Sequence, residues 1–292
     1  MAQTARPTKS GDGAAIGNEN ATLTCSNPKS DIENLLMKRS FFETSLRIIG
    51  ALALTLGDIA ASASPTMEDE VMLSAARAGN VALFRAMIKA GANFNARDDS
   101  GNNALVLAAQ SDREEMLREV LSHKIDLDAR GSIGMTALGI ATAHNAPQEV
   151  ERLLRGGADP NIADANGVTP LASALRLSRP ALAARLLAAG ADPRIADRDG
   201  VTPLHIAAER GDLQLAIALL DHGADPNALD HDRRSPLFLA LFFHHPEVAD
   251  AIVGQRETNL TLVTQGYPPL FWAKQMGYED IARSISARLR KG

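Results

Sequence analysis

The chain's seven histidines are the side chains best suited to proton transfer or metal binding at neutral pH, and three of them lie close in sequence. His244 and His245 are adjacent, and His231 stands beside Asp232 thirteen residues earlier. Imidazole and carboxylate are the donors of a catalytic zinc centre, and without a metal they could form a general base held by an acid. The residues between them oppose both. His231 falls in a turn, whereas His244 comes at the far end of a helix of roughly ten residues at about 1.5 Å each, so the two should not converge. The sequence has no H-E-x-x-H, no Gly-rich phosphate loop and no G-x-S-x-G. Its one cysteine, Cys25, has no partner for a disulfide or a thiolate zinc site. No catalytic residue, metal ligand or cofactor is therefore assigned, and the chain is read as not an enzyme. A histidine-dependent hydrolase stays as a distant alternative that requires a bound metal or a measurable turnover.

The element that must position these residues is a repeated unit, seen most plainly in DRDGVTPLHIAAERGDLQLAIALLDHGADPN, from Asp197 to Asn227. Thr202 can cap a helix, and Pro203 suits its first position, where an N–H would have no intrahelical partner. Leu204, Ala207 and Ala208 form one narrow apolar stripe whose alanines allow another backbone to come close. Gly211 ends that helix. Asp212 opens a second, with Leu215, Ala216, Leu219 and Leu220 on one face, closed by His222 and Gly223. Steps of 33 residues from Leu204 land on Leu171, Leu138, Leu105 and Met72 in one direction and on Leu237 and Leu270 in the other. The same steps from Ala207 land on Ala174, Ala141, Ala108, Ala75, Ala240 and Ala273. A fixed period of this length marks a repeat architecture, in which no unit buries its apolar face alone and neighbours must cover one another.

TPLHIAA at Thr202 to Ala208, TPLASA at Thr169 to Ala174 and GADPN at Gly157 to Asn161 resemble ankyrin repeats, over about residues 67 to 292. The resemblance implies an all-α solenoid of about seven units, each a turn or hairpin tip followed by two antiparallel helices. It also implies a concave surface of turn tips and inner helices that binds another protein. In this sequence those positions are Arg198, Asp199, Glu209, Arg210, His231, Asp232, Arg234, Phe242, Phe243 and Tyr267. Aromatic and Arg side chains there could anchor a partner, although Phe242 and Phe243 could equally serve packing between the last two units. His205, completing TPLH, is expected to brace its turn by a hydrogen bond rather than to catalyse.

Three units depart from the pattern. The first carries Glu70 and Val71 where Thr and Pro recur, as suits a leading cap, and the second has Lys124 where a terminating Gly recurs. The sixth places Leu241, Phe242 and Phe243 where others have Ala or polar residues, and it lacks the GAD turn after Gly254. Arg283, Arg288, Arg290 and Lys291 in the last helix suit a solvated closing face. With a net charge of −5, and 24 basic against 29 acidic residues after residue 63, nucleic acid is excluded as the expected partner.

Ahead of the repeats, residues 1 to 36 are polar and read as a disordered or non-native extension. Residues 37 to 63 look like a signal peptide: Met37, Lys38 and Arg39, an apolar run from Ile48 to Gly57, and Ala61-Ser62-Ala63 as an A-x-A cleavage site. The run is too short to span a bilayer. A mature chain of residues 64 to 292, periplasmic or secreted, monomeric and with no stable membrane insertion, is the expectation. It would stay cytoplasmic if the segment is not a signal. Similar small exported bacterial ankyrin proteins imply support of a stress enzyme or neutralisation of a toxin, with a secreted effector acting on host proteins as the alternative.

Overall fold

The computed structural model describes residues 65–291 except residue 112. The extension of residues 1–36 and the signal-like segment, with Met37, Ala61 and Ala63, lie outside the described residues.

Fourteen α-helices follow one another among the described residues. Seven inner helices are α1 (Met67–Ala78), α3 (Ala104–Gln110), α5 (Ala137–Ala143), α7 (Pro170–Arg176), α9 (Pro203–Arg210), α11 (Pro236–Phe242) and α13 (Pro269–Gln275). Each is followed by an outer helix: α2 (Val81–Ala90), α4 (Glu114–Leu121), α6 (Pro147–Arg155), α8 (Pro180–Ala188), α10 (Leu213–Asp221), α12 (Pro246–Gly254) and α14 (Glu279–Leu289). Inner helices begin at an extended cap residue whose side chain accepts from the third helical N–H, as at Asn103, Thr136, Thr169 and Ser235. Proline takes the first position of α6, α8 and α12, where its missing N–H costs nothing. The first unit starts a turn earlier than the 33-residue register, because Thr66 and Asp69 form a reciprocal capping box that extends α1 to twelve residues.

Each inner helix packs on its own outer helix and on the inner helices before and after it. The alanine column makes this possible: Ala75, Ala108, Ala141, Ala174, Ala207, Ala240 and Ala273 are all at most 1% exposed and share one apolar core. Met72, Leu105, Leu138, Leu171, Leu204 and Leu237 fill that core beside them, whereas Leu270 is only half-buried, as a terminal unit covered on one side must be.

The connections carry no strand among the described residues, only an isolated bridge between Thr264 and Tyr267. Their carboxylates are committed to the backbone. Asp126, Asp159, Asp192 and Asp225 each accept from the N–H two residues on, and the tip residues Asp98, Asp164 and Asp197 each accept from two N–H groups of their own turn. Adjacent units are clasped through the same turns, for Asn161 accepts from the Asp192 N–H at 2.7 Å and Asn227 from that of Asn259 at 2.6 Å. The tips are also laddered through backbone bonds. Ala165 donates to Ile133 O at 3.1 Å, Arg198 to Asn166 O at 3.0 Å and His231 to Asp199 O at 2.9 Å.

Two departures noted in the sequence have local causes. Where Gly157, Gly190 and Gly223 adopt positive φ after their outer helices, Lys124 does not, and the turn after α4 takes another shape. At the tips, Gly200 has φ +77° and a Cβ there would lie 3.0 Å from Asp230 Cα, so stacking requires glycine. One unit later Arg233 holds φ +58°. Arg233→Gly should relieve that backbone and stabilise the fold by roughly 0.5–1 kcal/mol, a gain to be read from urea unfolding.

Candidate functional site

The backbone tip ladder joins units three to six and does not continue into the seventh; between the second and third units, too, a side chain takes its place, Ser132 N donating to Asn102 Oδ1 at 3.1 Å. Thr264, one step of 33 residues after His231, donates to Tyr267 O of its own turn instead of to the preceding tip. The side-chain amide of Gln265 replaces the missing bond, donating to Asp232 O at 2.6 Å. Arg233 and Gln265 both sit at positive φ here. Non-glycine residues in that region carry strain, and strained backbone concentrates at functional sites.

A groove of about 560 Å³ opens at this point, lined by Asp232, Arg234, Phe238, Leu239, Phe242, Phe243, Gln265 and Trp272. Its walls are rings in continuous contact. Phe243 meets Phe242 edge-on at 5.3 Å, Phe242 stacks on Phe238 at 5.5 Å, and Phe238 meets Trp272 edge-on at 5.0 Å. Trp272 then contacts Phe271 at 5.5 Å and Tyr267 at 5.8 Å, and those two stack at 4.0 Å. The Trp272 indole N–H is held by Thr264 O at 2.9 Å, which fixes the ring that joins the two halves. Phe242, Phe243, Tyr267 and Phe271 remain 37–48% exposed. Of the chain's eleven Phe, Tyr and Trp residues, six stand in this one cluster, so the exposure is not the scattered kind that every surface shows.

The charged edge of the groove is built on Asp230. That carboxylate is buried and accepts the Arg234 N–H and Nε at 2.7 Å each, and Arg234 also reaches Asp232 at 3.1 Å. The buried acceptor holds the Arg234 guanidinium above its ordinary pKa. One residue behind this edge, the buried ring of His205 meets the Thr202 N–H at Nδ1 (3.2 Å) and bonds Arg234 O through Nε2 (3.0 Å). The brace expected from TPLH therefore crosses into the next unit.

Of the ten positions singled out in the sequence, Asp232, Arg234, Phe242 and Phe243 line the groove together and Tyr267 adjoins it through Trp272. The other five lie elsewhere. Arg198, Asp199 and His231 are in the tip ladder, Glu209 O accepts from His245, and Arg210 donates to the carbonyls of Leu175 and Arg176 in the preceding unit. Arg234 is a structural partner of Asp230 as well as a lining residue, so its truncation does not isolate binding from folding. Sequence reasoning missed Phe238, Phe271, Trp272 and Gln265. The signal was available: Phe238 and Phe271 are one and two steps of 33 from His205, an aromatic ring twice replacing a bracing imidazole.

The histidine constellation does not assemble. His245 bonds Glu209 O at 3.0 Å and His244 bonds the Tyr278 hydroxyl at 2.9 Å, and no cluster of three or more metal-capable side chains occurs among the described residues.

Ankyrin repeat family profiles match residues 58–131 and 180–264 as arrays of three copies and residues 133–165 as a single copy. The chain belongs to the ankyrin repeat family. Among solved structures, it is similar to the ankyrin repeat domain of Bcl-3, a member of the IkappaB protein family. That match has 30% identity and a TM-score of 0.56, covering 63% of this chain and 81% of that one. An ankyrin repeat domain from Acinetobacter baumannii matches at 24% identity and TM-score 0.57, covering 62% of this chain and 95% of that one. A Bdellovibrio bacteriovorus structure, a predatory endopeptidase in complex with an immunity protein, matches at 24% identity and TM-score 0.53, covering 64% and 98%. No curated protein matches. Ankyrin repeats form a protein–protein interaction module that is generally non-catalytic, and the all-α repeat fold described above is theirs.

Proposed function

We propose that this ankyrin array binds a partner protein through the aromatic groove between α11 and α13, after export from the bacterial cytoplasm. The observation that carries the binding site is the run of six touching rings, four of them exposed, at the junction of the last two units. Rigid aromatic side chains ordered by their neighbours lose little entropy on binding, which is why they dominate the energetics of protein interfaces. Export rests on the basic, apolar and A-x-A segments of residues 37 to 63. In the periplasm the partner we propose is an enzyme that the bound array either supports under stress or blocks as a toxin.

Expression of the full chain in a bacterium, fractionation and N-terminal sequencing test the location: periplasmic recovery with Ser64 as first residue is expected. A native chain starting at Met1 removes the export reading, and recovery in the medium favours a secreted effector. The exported protein then serves as bait for affinity capture. Phe243→Ala with Tyr267→Ala should weaken capture more than tenfold, because each removes a contact of hot-spot type, while both side chains are exposed enough to leave the melting temperature nearly unchanged. Undiminished capture would move the binding site elsewhere on the array.

A further inference from the structure

A second surface lies on the outer helices. The altered turn at Lys124 leaves a hollow of about 470 Å³ between the ends of α4 and α6, lined by Arg118, Lys124, Arg152 and Arg155 and floored by Leu121, Ile125 and Leu127. Arg152 and Arg155 also line a neighbouring hollow of about 280 Å³ that reaches Arg185 on α8. The linings of the two hollows carry five cationic side chains and one carboxylate, Glu151, with Glu114 and Glu119 paired at their rim, in a chain whose net charge is −5. Ion pairing does not exhaust them. Glu114 serves Arg118 and Arg152 together, and Glu151 serves Arg155 and Arg185 together. Lys124 has no ion-pair partner among the described residues.

We propose that this strip is a second docking surface, for an extended acidic segment of a partner protein that carries an apolar side chain between its carboxylates. The charge excess selects an anion, and the apolar floor selects a ligand larger than a simple inorganic one. Neighbouring helices pack about 10 Å apart, so three outer helices span roughly 20 Å, the length of about six extended residues. Arginine forks at that spacing meet carboxylates two by two.

The test uses the full chain and a fluorescent six-residue peptide of alternating glutamate and leucine, followed by anisotropy at low salt. Saturable binding is expected, lost at about 0.5 M salt, where screening is nearly complete. Lys124→Gln with Arg155→Gln should weaken it about tenfold or more. Arg155 is 78% exposed in its side chain, so the variant keeps its fold, which a melting curve checks. Phe243→Ala, in the aromatic groove, should leave peptide binding unchanged, and so separates this surface from the one above. The proposal is overturned if the double variant binds as well as the parent or if a lysine–leucine peptide binds equally. Displacement by millimolar inorganic phosphate would reduce the strip to a simple anion pocket, and variant-sensitive binding of phosphatidylglycerol vesicles in place of the peptide would make it a membrane contact. Either also overturns it.

Discussion

Leu204→Ala is expected to destabilise the array by about 4 kcal/mol, within the range found when a fully buried leucine is cut to alanine and the cavity cannot close. Leu204 is 0% exposed, and its helix α9 packs against α7, α10 and α11 at once. The neighbours are held by their own alanine contacts, Ala174 and Ala240, both 0% exposed, so they cannot move in to fill the space without breaking the backbone approach that those alanines allow. In a linear array the loss falls on two interfaces, those of the fifth unit with the fourth and with the sixth, and weakens coupling along the stack. Urea unfolding followed by circular dichroism measures it. Leu177→Ala, at a side chain 46% exposed, is the comparison and should cost less than about 1 kcal/mol. Equal effects at the two positions would mean that the leucine column does not carry the stack.

That column was legible in the sequence because a position buried between two copies of the same unit tolerates only one kind of side chain. Leucine and alanine at steps of 33 state the packing directly, and the fold follows from them. The first unit was less legible. The register placed its helix start near Glu70, and the local capping box at Thr66 and Asp69 overrode the register by one turn. The candidate groove was half legible. Phe242 and Phe243 stood out because they broke a polar pattern, whereas Phe238 and Trp272 sit at positions that other units fill with buried side chains, where an aromatic residue reads as core. What makes them walls of a groove is their contact with the exposed rings of Phe242 and Phe271, a neighbourhood set by the fold and not encoded in composition. Arg234 holds a second role that its residue type does not announce: it lines the groove and also pairs with the buried Asp230.

His205→Ala should cost about 3 kcal/mol at pH 7.5, and that cost should shrink as the pH falls. The ring is 0% exposed, so its removal opens a cavity, and it strips the Thr202 N–H of its acceptor and Arg234 O of one of its two donors. The pH dependence follows from burial, which penalises the imidazolium and holds the pKa of His205 below its ordinary value; the Arg234 carbonyl and the Asp230 charge oppose that shift without reversing it. Bonding to Arg234 O through Nε2–H leaves Nδ1 as the acceptor for Thr202, so the native contacts are those of the neutral ring. Above about pH 6.5 the ring is neutral in both the native and the unfolded chain, and its contribution is complete. As the pH drops below that value the unfolded chain takes up a proton that the native state refuses, and stability is lost until the lower native pKa is reached. The alanine variant has no such group, so its curve lies nearer the parent's at pH 5 than at pH 7.5. Taking the difference between the two proteins cancels the carboxylates of Asp98, Glu114, Glu119 and Asp192, whose pKa values are lowered and whose losses begin only below about pH 4.5. A difference that is constant or grows toward acid would show that His205 is charged in the folded array, and that the junction beside the groove is held by an ion pair with Asp230 rather than by a neutral brace.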